Sequence, residues 1–158
     1  MFDILKELTI SMMASIYLAL LMNGTITNPD QIRGSVNETE WNDLSGTIEC
    51  ENGSNSVKCR LLTGSVVINR ENSSKWKGNT VYEVVMAKEG KYWQYASSTR
   101  NRFQTIKASD TTKAIAKYLL IYGPICPENV VYQGQRKNGS GVYDYCDTPD
   151  GKEYFCYE

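Results

Sequence analysis

Histidine is absent from this chain. That absence removes the commonest general base, the commonest zinc ligand and the usual partner of a nucleophilic serine or cysteine. The cysteines include no C-x-x-C pair, so a structural zinc site lacks ligands at a workable spacing. Net charge is only −1, and no basic run is interleaved with aromatics. General attraction for phosphate backbones or anionic lipid is therefore missing, which argues against a nucleic-acid partner. The phosphate-cradle strings G-x-x-x-x-G-K-[ST] and G-x-G-x-x-G, the hydrolase elbow G-x-S-x-G and the zincin H-E-x-x-H are absent as well. Together these gaps lead to the expectation of a non-enzymatic protein with no cofactor and no metal.

Carboxylates do gather near the end, at Asp144, Asp147, Asp150 and Glu153. Their spacing fits no EF-hand, and Pro149-Asp150-Gly151 is accounted for as a turn. An acid/base pair such as Asp144 with Glu153 requires two carboxyls converging in a cleft, and a hairpin end is a poor place to desolvate them. A deep pocket with convergent carboxylates would revive the reading of a histidine-free hydrolase.

What the chain does contain fits one globular domain: 158 residues, 41% hydrophobic and 22% charged, values outside the disordered range. Cysteines stand at Cys50, Cys59, Cys126, Cys146 and Cys156. With three of them in a tail rich in Tyr, Gly, Pro and Asp, they read as disulfide formers in an oxidising, extracellular or periplasmic compartment. Asn-x-Ser/Thr sequons begin at Asn23, Asn37, Asn52, Asn72 and Asn138. They are surface-loop hints, and glycosylation acceptors if the host performs that chemistry.

The spacing of apolar residues predicts an α+β fold. Residues 1–24 form an apolar helix, with Asp3, Glu7, Ser11 and Ser15 as one narrow polar stripe and Asn23-Gly24 as its stop. Three readings stay open for it: a helix packed on a sheet, a signal peptide, or a membrane anchor. The n-region is acidic rather than basic, and Leu8 to Met22 falls short of the about 20 apolar residues that a span needs. Residues 25–46 read as a loop. Residues 47–106 read as an antiparallel meander, with Thr47–Cys50 and Val57–Leu62 as a hairpin that sets Cys50 opposite Cys59. Residues 109–123 are an amphipathic helix capped by Ser109 or Asp110 and ended by Gly123-Pro124. Residues 124–158 are a tail closed by a hairpin at Thr148-Pro149-Asp150-Gly151, where the turn sets Cys146 against Tyr154 and leaves Cys126 as partner for Cys146 or Cys156.

The order of apolar helix, loop, meander and cysteine-bounded tail resembles type IV pilins and type II secretion pseudopilins. The local likeness lies in Ile16-Tyr17-Leu18-Ala19 through Asn23-Gly24-Thr25 and in the segment Cys126 to Cys156. The family's Gly-Phe processing site and fifth-position glutamate are not matched, since Phe2 and Glu7 are one residue out of step. The resemblance implies a structural or interaction subunit of an extracytoplasmic pilus-like assembly, with like subunits or a surface receptor as partners. Membrane contact would come only through the N-terminal segment. The alternative is a secreted, disulfide-stabilised binding module of the host-interaction or inhibitor type.

Overall fold

Helix N-caps decide most of the architecture. In the computed structural model, which describes residues 1–158 apart from the side chain of Phe2, the Asn37 side chain accepts from the Glu40 amide at 3.0 Å and opens helix α2, Glu38–Asn52. Ser56 accepts from the Cys59 amide at 3.2 Å and opens α3, Val57–Asn72. Ser109 caps α6, Asp110–Tyr122, which stops at Gly123 with φ 90°. Each such cap is worth about 1 kcal/mol. The remaining helices are α1, Phe2–Met22, and the short α4, Val81–Val85, and α5, Ser97–Arg100.

Strands β1, Lys88–Glu89, and β2, Tyr92–Trp93, form a small ribbon turned at Gly90. Strands β3, Val130–Gly134, β4, Gly141–Thr148, and β5, Gly151–Tyr157, form an antiparallel sheet in the order β3-β5-β4. The chain is therefore α+β, as its patterning predicts, with helices at both ends of that prediction in place. The meander over 47–106 is corrected: most of it is helix. The apolar residues of α3 recur every three or four positions, so they serve two faces. Leu61, Val67 and Ile68 join Leu44 and Ile48 of α2 and Ile115 and Leu119 of α6 in one core. Cys59, Leu62 and Val66 join Val130 and Phe155 of the sheet in a second. Helices approach closely enough for this because Gly46 and Gly64 lack side chains. A Cβ on Gly46 would lie 1.7 Å from the Phe103 carbonyl oxygen, and one on Gly64 would lie 2.4 Å from Leu119 Cδ1.

The loop over 25–46 is also shortened, since α2 begins at Glu38. Helix α1 forms where expected but does not lie on a sheet. Tyr17 and Leu21 are buried, and its main neighbours are α6 and α3. From Ile4 to Met12 its large apolar side chains are half or more exposed. The segment Asp3–Met22, 20 residues of mean hydropathy 1.6, is also long and apolar enough to cross a membrane.

Candidate functional site

Four segments far apart in sequence meet around one carboxyl group. Glu51 stands at the end of α2, half-buried. The Thr99 hydroxyl of α5 donates a short hydrogen bond to one of its oxygens, and Gln133 Nε2 of β3 donates to the other at 3.4 Å. Behind it Arg70, the cation in the last turn of α3, is 4% exposed. Arg70 donates through Nε to the Val131 carbonyl at 2.7 Å and lies over the rings of Trp76, at 4.6 Å, and Tyr95, at 5.2 Å. The guanidinium and both hydrogen bonds favour the carboxylate, yet burial outweighs them and holds the Glu51 carboxyl above its ordinary value of 4.5. Arg70 Nη1, Tyr95 Oη and Gln133 Oε1 have no hydrogen-bond partner in the protein, so buried polar capacity around Glu51 is left unused.

A second carboxyl faces the same space. On β5 side chains alternate, so Glu153 and Phe155 point to the same side, and Phe155 belongs to the core against α3. Glu153 is raised first by burial and then by the Glu51 charge. Glu51 and Glu153 line an open, polar recess of about 170 Å³ with Asn52, Asp150 and Gln135. Two carboxyls with upward-shifted ionisation lining one recess are candidates for proton transfer to and from a bound molecule.

Of the tail carboxylates singled out in the sequence, the structure brings Glu153 and Asp150 to this recess and diverts the others. Asp144 is bound by Lys58 at 2.8 Å, and Asp147 by Lys152 at 2.9 Å. Asp144 and Glu153 do not share a recess, in line with the sequence argument against that pair; the carboxyls that do are Glu51 and Glu153. Among the described residues no group of three Cys, Asp or Glu side chains is arranged to hold a metal.

The cysteines also move from their expected settings. All five are unbonded. The hairpin that would set Cys50 against Cys59 does not exist, because both residues are helical and each packs into a different core. In the tail Cys146 faces Glu153, not Tyr154, since the loop is the two-residue Pro149-Asp150 between Thr148 and Gly151. Four sequon asparagines, Asn23, Asn37, Asn72 and Asn138, are exposed. Asn52 is 3% exposed and donates to Thr63 Oγ1 at 2.7 Å, so the surface-loop reading fails there.

Glu51, Thr99, Arg70 and Gln133 were not singled out in the sequence. Each is an ordinary residue in its own segment, and only α3 and the sheet bring them together. No family model, curated protein or solved structure matches this chain at a significant level.

Proposed function

We propose that this protein is a histidine-free acid/base enzyme that cleaves a glycosidic bond, with Glu153 as the proton donor and Glu51 as the base. The observation that carries the reading is the convergence of Glu51 and Glu153 in one recess, where burial and then the Glu51 charge keep Glu153 protonated to higher pH. Cleaving an acetal needs a proton on the departing oxygen and a carboxylate to assist at carbon, and two carboxyls supply both. Glu153 gives its proton to the bridging oxygen as the carbon–oxygen bond breaks. Water adds to the oxocarbenium-like carbon and the Glu51 carboxylate takes the proton released. Thr99 and Gln133 hold the Glu51 carboxyl in one orientation.

The test is turnover on a panel of oligosaccharides carrying neutral, N-acetylated and acidic sugars. Glu51→Gln should lower the rate roughly 10²–10⁴-fold while leaving the fold intact by circular dichroism. Because Glu153 must carry its proton, the rate should decline on the alkaline side as pH rises through its raised ionisation. No cleavage of any panel member, or a Glu51→Gln variant as active as the parent, would overturn the reading.

A second reading draws on α1. Its exposed apolar surface suits a segment that attaches the domain outside the cytosol, to a bilayer or to like subunits as in a pilus-like assembly or a secreted, disulfide-stabilised module. About 20 helical residues span roughly 30 Å. The hydroxyls of Thr9 and Ser15 donate to the carbonyls of Leu5 and Ser11, at 2.8 and 3.0 Å, and so need no water. The full chain should co-float with phosphatidylcholine vesicles, and Leu8→Arg should weaken this severalfold. Failure of the parent chain to float would rule out the bilayer.

A further inference from the structure

Behind the recess, two thiols from distant segments enter one small core. Cys59, in the first turn of α3, is fully buried, and Cys146, on β4, is 5% exposed; both belong to the core between α3 and the sheet. Their backbones are pinned together by the neighbouring residue on each side. Lys58 Nζ donates to Asp144 Oδ1 at 2.8 Å and to the Tyr145 carbonyl at 3.3 Å. Both thiols thus enter one small core beside the Lys58 contacts. The other three cysteines are engaged or directed elsewhere. Cys126 enters the same core, where its Sγ accepts from Asn69 Nδ2 at 3.5 Å. Cys50 packs in the opposite core. Cys156 follows Phe155 on β5, so alternation turns it to the other face of the sheet.

We infer that Cys59 and Cys146 are the cysteines that cross-link, forming a disulfide that clasps the β4–β5 hairpin to α3 in an oxidising compartment. The positions on either side give this clasp a place in the molecule. Cys59 Sγ lies 3.7 Å from Asn52 Oδ1, next to Glu51, while Cys146 is the register partner of Glu153. One covalent bond therefore fixes the β4–β5 hairpin, which carries Glu153, to α3, which packs on the helix carrying Glu51. Cys146 is the attacking group: the Cys59 thiol and the nearby Lys58 charge draw its ionisation below that of an ordinary thiol. Its thiolate attacks a small-molecule disulfide as the hairpin docks, releasing one thiol and leaving a mixed disulfide. Cys59 then attacks that mixed disulfide, loses its proton and releases the second thiol. Two protein thiols are oxidised and one disulfide donor is reduced.

The experiment is refolding of the full chain with oxidised and reduced glutathione, alkylation in denaturant, and non-reducing peptide mapping. The expected product links the peptides of Cys59 and Cys146, with Cys50, Cys126 and Cys156 alkylated. Alkylation of both Cys59 and Cys146, or their linkage to any other cysteine, overturns the inference. The cross-link closes a long loop, so the oxidised chain should melt at least about 5 °C above the reduced one. Cys146→Ser should abolish that gap. An oxidised chain that carries the link but melts with the reduced one would overturn the clasp. Neither readout depends on glycoside cleavage, so the acid/base reading and this one fail separately.

Discussion

Helices α1 and α3 make an instructive pair. Helix α1 is the most apolar stretch of the chain, and along its first half it is exposed. Helix α3 carries Lys58, Arg60, Asn69, Arg70 and Glu71 and is much less apolar on average, yet it is the centre of the molecule, with Leu61, Leu62, Val66 and Val67 almost wholly buried. What separates them is the surface each one meets. Helix α3 has two apolar faces, and α2 with α6 on one side and the sheet on the other cover both. Helix α1 meets the core only along its second half, where Tyr17 and Leu21 are buried and Met13, Leu18 and Leu20 are half-buried. Hydrophobicity supplies the incentive for burial, and matching partners decide whether burial happens.

The largest expected effect tests α3. Leu61→Ala should destabilise the fold by about 2–5 kcal/mol, read from urea unfolding, because a closely packed site leaves a cavity. A loss under 1 kcal/mol would mean that α3 is not the centre of the core.

An intermediate effect comes from the last turn of the same helix. Burial, and then the charge of Glu40, push Glu71 up to about 7. An unfolded glutamate ionises near 4.5, so the protonated group favours the fold below that pH. This contribution is lost as pH rises towards 7. Glu71→Gln should therefore match the parent below pH 4.5 and gain on it above pH 7. The gain should be roughly 1–2 kcal/mol after allowance for screening at a half-buried site. An unchanged difference across that range would place Glu71 in water.

The smallest effect belongs to α1. Leu8 is 55% exposed, so Leu8→Ala should alter stability by less than about 0.5 kcal/mol in aqueous buffer. A loss comparable to that of Leu61→Ala would show that α1 is covered along its whole length in solution, and the contrast between the two helices would disappear.

Much of the misreading of α3 had a remedy in the sequence. Ser56 and Asn37 are good N-caps, and the spacing of Cys59, Leu62 and Val66 is helical. The β-branched run Val66-Val67-Ile68 competes with that signal and favours strand in isolation. Tertiary burial on two faces settled the matter, since a helix can serve two cores where a strand in a small exposed ribbon cannot.

Local chemistry in the sequence determined the two terminal helices, α1 and α6, the hairpin at Pro149-Asp150-Gly151, and the α+β class, because caps, turns and periodicity act over a few residues. The recess was decided only by tertiary structure. Glu51, Thr99, Gln133 and Glu153 come from α2, α5, β3 and β5, and only Glu153, within the tail's run of carboxylates, is marked by any local pattern. Their meeting, and the displaced ionisation of the two carboxyls, are consequences of burial. Burial is a property of the packed chain and not of any one segment.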